Sequence, residues 1–120
     1  MKKILIVDDE PNIVMSLEYT FKKNNFEVYI ARDGQEALDL LQNTTPDVII
    51  LDIMMPKVDG YETLKQIKQN PTLDHTKVIF LSAKTKESDI EKGLQLGADD
   101  YFTKPFSLKK LVERVNELVN

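Results

Sequence analysis

Two stretches of this chain, Ile4–Val7 (ILIV) and Val48–Leu51 (VIIL), are apolar at every position. A strand with one wet face alternates apolar and polar residues. A strand that reads apolar throughout is covered on both faces, as in a parallel sheet wrapped by helices. Val28–Ala31 and Val78–Leu81 are further apolar runs, and Asp100–Thr103 is a weaker fifth candidate. The segments between them repeat apolar residues at helical spacing. Ile13, Leu17, Thr20 and Phe21 share one face, as do Ala37, Leu40 and Leu41, then Tyr61, Leu64 and Ile67, then Ile90 and Leu94. The last segment is the most regular, with Leu108, Leu111, Val112, Val115, Leu118 and Val119. Start signals agree: Pro11 suits a first helical position, Asp33 with Glu36 makes a capping box, and Ser107 caps the final helix. Asp59–Gly60 reads as a turn. Strand followed by helix, five times over, predicts an α/β fold with a five-stranded doubly wound parallel sheet.

The length of 120 residues predicts one domain over residues 1–120. No linker, internal repeat or low-complexity tract interrupts it. A net charge of -4 argues against direct nucleic-acid binding, which wants a basic face. The absence of cysteine excludes disulfides, thiolate metal sites and a cysteine nucleophile, and fits a reducing compartment. The apolar run after Lys2 and Lys3 is too short for a signal peptide, and no stretch is long enough to cross a bilayer. A cytoplasmic protein with no membrane partner is the expectation.

In open parallel sheets, ligands bind beyond the carboxyl ends of the strands. Asp8, Asp9 and Glu10 follow the first run, Asp52 the third, Ser82 and Ala83 the fourth, and Lys104 and Pro105 the fifth. A lone acid there is usually a solvated loop residue. Asp8, Asp9 and Asp52 brought to one edge repel each other and call for a cation. With oxygen ligands only, Mg²⁺ is expected first, with Mn²⁺ and Ca²⁺ as alternatives. Lys104 adds a fixed positive charge and Ser82 a hydroxyl. Carboxylate, cation, lysine and hydroxyl suit phosphoryl transfer, which depends on positioning and charge neutralisation, and a carboxylate can itself be the nucleophile. No Walker or GxGxxG loop occurs, so ATP is not expected to be the direct donor.

The strings ILIVDDEP, DVIILDIMMPKVDG, VIFLSA and GADDYFTKPF resemble the response-regulator receiver family, and the resemblance spans the whole chain. It implies a flavodoxin-like (CheY-like) fold with strand order 2-1-3-4-5. It implies that Asp52 is the phosphoacceptor, that Asp9 binds Mg²⁺ directly and Asp8 largely through water, and that the Met54 backbone carbonyl completes the protein ligands. Lys104 matches the lysine that pairs with the acceptor, Ser82 the switch hydroxyl and Tyr101 the aromatic switch position, although Tyr101 also reads as a core aromatic. Lys104–Pro105 is expected to be cis. Met54 and Lys84 match positions that tune acyl-phosphate lifetime, here toward a long-lived phosphoprotein. The implied partners are a sensor histidine kinase or phosphotransfer protein and a downstream effector. GADDYFTKPF looks like receivers fused to winged-helix domains. That likeness implies a phosphorylation-dependent homodimer through the fourth helix, fifth strand and fifth helix, with Lys92, Asp99, Asp100 and Arg114 on that face. Lys110 departs from the acid common there.

Such a protein is a phosphoacceptor rather than a true enzyme. Two other readings remain. Haloacid-dehalogenase phosphatases also use a strand-end aspartate, but they carry a second one two residues on, where this chain has Met54. A pseudo-receiver typically lacks an acid or the lysine, and all are present here. His75, the only histidine, reads as a solvated loop residue, and Lys109 and Lys110 as the wet face of the last helix.

Overall fold

The computed structural model describes residues 1–120. Five strands, β1 (Lys2–Val7), β2 (Phe26–Ala31), β3 (Val48–Leu51), β4 (Lys77–Ser82) and β5 (Asp100–Thr103), alternate with five α-helices. These are α1 (Pro11–Lys23), α2 (Gly34–Leu40), α3 (Gly60–Lys68), α4 (Glu87–Gln95) and α5 (Leu108–Val119), with a 3₁₀ turn at Pro71–Leu73 before β4. All neighbouring strands are parallel, in the order β2-β1-β3-β4-β5. This is the flavodoxin-like arrangement that the sequence implied.

The runs in β1, β3 and β4 are buried on both faces because successive side chains point to opposite sides of the sheet, whereas Val28–Ile30 of the edge strand β2 are only half-buried. Leu5, Val7, Ile49, Leu51, Val78 and Phe80 enter one core with Ala37, Leu64 and Ile67 of α2 and α3. Ile4, Ile6, Val48, Ile50, Ile79 and Leu81 enter the other with Leu17 and Phe21 of α1 and Leu111 and Val115 of α5. The helix starts follow the expected chemistry. Pro11 opens α1, Asp33 accepts from the Glu36 amide at 2.8 Å, and Ser107 accepts from the Lys110 amide at 3.2 Å. Lys104–Pro105 is cis. No helix is long and apolar enough to cross a membrane.

Two local expectations are corrected. Asp59–Gly60 starts a helix rather than forming a free turn: Asp59 is the N-cap of α3 and accepts from the Glu62 amide at 2.9 Å. The inward face of α4 is not the Ile90–Leu94 stripe. Leu94 is exposed, and the buried residue is Gly93, which lies so close to Phe80 that a Cβ there would stand 2.9 Å from the ring.

Candidate functional site

β1 and β3 are neighbours in the middle of the sheet and end in register, Val7 opposite Leu51, so the next residues, Asp8 and Asp52, emerge together at the carboxyl edge. The Asp52 amide donates to the Val7 carbonyl at 2.9 Å and the Asp8 amide to the Ala31 carbonyl at 3.1 Å, which fixes both backbones. Both carboxylates are buried. Lys104 follows β5, and its amide donates to the Ser82 carbonyl at 2.8 Å. From there its ammonium reaches across the edge to Glu10 at 2.7 Å, Asp8 at 3.0 Å and Asp52 at 3.6 Å. Ser82 is fully buried, and its Oγ accepts from the Lys84 amide at 3.2 Å. The Met54 amide donates to Asp52 Oδ1 at 3.3 Å, while its side chain is exposed.

Loop backbone closes the floor of the site. The Gly60 amide donates to the Ile53 carbonyl at 2.9 Å. A Cβ at Gly60 would stand 2.3 Å from the Asp52 carbonyl oxygen, which is backbone and cannot swing away. Gly60→Ala is therefore expected to cost about 1–3 kcal/mol, as overpacking does, and to displace Asp52. Urea denaturation with amide shifts of residues 52–60 checks this, and a variant with parental stability and shifts would contradict it.

Electrostatics divide the cluster. Burial pushes the Asp52 carboxyl up to about 6; the Asp8 charge pushes the same way, and Lys104 offsets only part of it. Burial also raises Asp8, against hydrogen bonding from the Glu10 amide and the charge of Lys104. Burial disfavours the Lys104 ammonium, yet Glu10, Asp8 and Asp52 together hold its pKa above the ordinary lysine value. One feature stays unbalanced. Asp8 Oδ2 is buried and accepts no hydrogen bond, although the Lys104 charge lies 3.0 Å away. Ligand oxygens of Asp8, Glu10 and Asp52 all lie within 4.8 Å of one another. An oxygen-only set in which buried Asp8 Oδ2 has no partner but the Lys104 ammonium fits a hard divalent cation.

Part of the expected site is arranged differently. Asp9 is exposed and is not one of these three carboxylates. It lines a cleft with Glu18 and Arg32, while Glu10 pairs with Lys104 at 2.7 Å and lies in the cluster with Asp8 and Asp52. Tyr101 is half-buried, with its hydroxyl donating to the Lys84 carbonyl at 2.7 Å and its ring centroid 5.9 Å from that of Phe80. Asp99 is not a free surface charge: its carboxylate accepts from the Val78 amide at 2.8 Å, at the start of β4. Asp100 and Arg114 are paired within the chain at 2.7 Å. Lys92 stands over the Tyr61 ring, 4.2 Å from its centroid. Lys84 reaches Asp89 at 4.0 Å. His75, Lys109 and Lys110 are exposed, as read from the sequence.

Residues 4–116 match the family described as the response regulator receiver domain. The chain belongs to that family. It is 45% identical over 118 residues to the alkaline phosphatase synthesis transcriptional regulatory protein PhoP of Bacillus subtilis (strain 168), covering 98% of this chain. The receiver spans about half of that relative, 48% of its length. Among solved structures, the receiver domain of the Francisella response regulator 1452 is 39% identical with a TM-score of 0.92, covering 99% of this chain and 97% of that one. Chemotaxis protein CheY4 of Vibrio cholerae is 31% identical with a TM-score of 0.91, covering 98% of each. The strand-end cluster of this receiver therefore sits in a fold shared with signalling proteins of two-component systems.

Proposed function

We propose that this receiver accepts a phosphoryl group on Asp52 and uses the modification to alter the face formed by α4, β5 and α5. The observation that carries the reading is the placement of Asp52, buried at the carboxyl end of a central strand with Lys104 Nζ 3.6 Å from its carboxylate. In the transfer, a carboxylate oxygen of Asp52 bonds to phosphorus while the bond from phosphorus to the donor nitrogen breaks, so the donor imidazole leaves as the phosphohistidine is consumed. In this reading Lys104 would move from the carboxylate to a phosphoryl oxygen, and the Ser82 hydroxyl would hydrogen-bond another. The Met54 amide orients the acceptor through Oδ1. Lys84 and Lys92, with Asp59, line an open groove of about 530 Å³ beside Met54, through which a donor could approach.

Asp8, Asp52 and Glu10 would hold the Mg²⁺, with Asp9 turning in from the rim and the Met54 carbonyl as further candidate ligands. When bound, the ion neutralises charge on the transferring phosphoryl oxygens. The donor class is a phosphohistidine on a sensor kinase or phosphotransfer protein in the cytoplasm. The protein is a phosphoacceptor rather than an enzyme that turns over a separate substrate. Its output is an effector domain or partner, and a homodimer through the α4–β5–α5 face is the proposed form.

Incubation with acetyl phosphate and Mg²⁺, followed by intact mass, tests the reading. One retained phosphoryl group per chain is expected, and none in excess chelator. Turnover of the donor without retention would indicate a phosphatase, and an unchanged mass with intact donor a pseudo-receiver.

A further inference from the structure

We propose that Tyr61 is a second latch on α4, joining that helix to the acceptor strand by a route separate from Ser82 and Tyr101. Tyr61 sits in the first turn of α3, directly after Gly60, and is buried. Its hydroxyl donates to the Asp89 carbonyl of α4 at 3.2 Å. One turn further along α4, Lys92 places its ammonium 4.2 Å above the centroid of the same ring, a favourable cation–π distance. Tyr61 therefore engages α4 twice, through backbone and through charge.

The latch is built as one half of a pair. Tyr61 packs edge-on against Phe80 with centroids 5.7 Å apart, and Tyr101 packs on Phe80 at 5.9 Å. Both tyrosines end on backbone carbonyls of one continuous segment, Tyr101 on Lys84 and Tyr61 on Asp89. Gly93 lets α4 settle onto this layer, since a Cβ there would meet Phe80 at 2.9 Å and Tyr101 at 3.2 Å. The first turns of α4 and the loop before them are thus held from both sides of Phe80.

The two holds lead back to the carboxyl edge by different chains of contact, that of Tyr61 to Asp52 and that of Tyr101 to Ser82. Tyr101 connects through Lys84 to Ser82, whose Oγ accepts from the Lys84 amide. Tyr61 connects through Gly60, which is pressed against the Asp52 carbonyl and bonded to Ile53. A shift of the β3–α3 loop at Asp52 must carry the start of α3, and with it the Tyr61 hydroxyl. Contiguity alone does not establish coupling, so the test measures coupling directly. The relay rests on the phosphoacceptor reading, whereas the latch does not.

The experiment compares the parent with Tyr61→Phe, Lys92→Met, Tyr101→Phe and Tyr61→Phe/Tyr101→Phe. Without ligand, amides of residues 86–93 should exchange roughly three- to tenfold faster in Tyr61→Phe, the effect of one lost hydrogen bond, while those of α1 and α5 are unchanged. Lys92→Met should give a smaller change in the same residues. Parental exchange across α4 in Tyr61→Phe would overturn the latch. With 3-fluorotyrosine incorporated and beryllofluoride with Mg²⁺ added as the phosphoryl mimic, the Tyr61 signal should still shift in Tyr101→Phe. The α4 amides should still respond in that variant and lose their response in the double variant. A Tyr61 signal that is silent in Tyr101→Phe would overturn the separate route. A parent that does not respond to beryllofluoride anywhere, even at Asp52 and Lys104, would overturn the phosphoacceptor reading and the relay with it, while the ligand-free exchange still decides the latch.

Discussion

Asp52→Asn should abolish phosphoryl incorporation and, in chelator at pH 7.5, make the protein more stable than its parent. On the phosphoacceptor reading the two effects have opposite signs, because one carboxylate would serve chemistry at the expense of folding. Its pKa is pushed up to about 6 from an ordinary 3.8 by burial and by the Asp8 charge, with Lys104 compensating incompletely. A carboxyl whose folded pKa is raised binds its proton more tightly in the folded chain. Its favourable contribution is present below pH 3.8 and is lost as pH rises through about 6, so above that the ionised group is a cost. At 1.36 kcal/mol per pH unit, the relief on replacing it with a neutral isostere is about 2–3 kcal/mol. The difference between variant and parent should shrink steadily between pH 6 and pH 4, where Asp52 takes up its proton. Adding Mg²⁺ should narrow it at pH 7.5 by stabilising the parent alone. Urea denaturation at several pH values, with and without chelator, gives all of these numbers. An Asn variant that is less stable than the parent at pH 7.5 without metal would mean that Lys104 already balances Asp52. Undiminished labelling of the variant at another residue would remove Asp52 from the chemistry.

The reading of the fold from sequence succeeded where burial on two faces left no choice of residue. Leu5 and Val7 face one core, Ile4 and Ile6 the other, so polar side chains were excluded at all four positions. The same logic located Asp8, Asp52, Ser82 and Lys104, because each stands where an apolar run ends at the ligand-binding edge. What the sequence left open was set by reach rather than by position. Three acids follow β1, and adjacency could not say which turns inward. Only the structure shows that Glu10, at the N-cap of α1, makes no side-chain cap bond and turns its carboxylate to Lys104 instead. Helical periodicity pointed to Ile90 and Leu94 as the inner face of α4, because a glycine contributes no hydrophobicity to such a pattern. Gly93 is inside because the Phe80 and Tyr101 rings occupy the space that a side chain would need. Asp99 and Asp100 look alike as surface acids. Only the three-dimensional arrangement reveals that one closes the start of β4 and the other holds Arg114 within the chain.

Lys104→Met should be the most destabilising single change at the site, about 3–5 kcal/mol at pH 7.5 in chelator. That is the range for leaving buried charge without its partner. Methionine keeps an apolar stem of similar length, so the loss isolates the ammonium rather than the packing. Three carboxylate contacts vanish together, at 2.7, 3.0 and 3.6 Å. Two of the acids, Asp8 and Asp52, are buried and cannot turn to water, whereas Glu10 can. The pH dependence separates this account from a packing defect. The raised pKa of Lys104 means that its contribution is fully present below 10.5 and is lost only as pH rises through the higher folded value. The parent therefore draws on it throughout the neutral range. In the variant, the uncompensated Asp8 and Asp52 should bind protons more tightly still, so the deficit should shrink as pH falls toward 5, and Mg²⁺ should recover part of it at pH 7.5. A packing defect would leave the deficit flat with pH and indifferent to the ion. The double variant Asp52→Asn/Lys104→Met supplies the remaining check. With one buried charge gone, it should be markedly more stable than Lys104→Met alone, and by more than Asp52→Asn gains in the parent background. That excess is the coupling between the two side chains. Strict additivity would mean that Lys104 answers to Asp8 and Glu10 only, and that its 3.6 Å approach to Asp52 carries no energy.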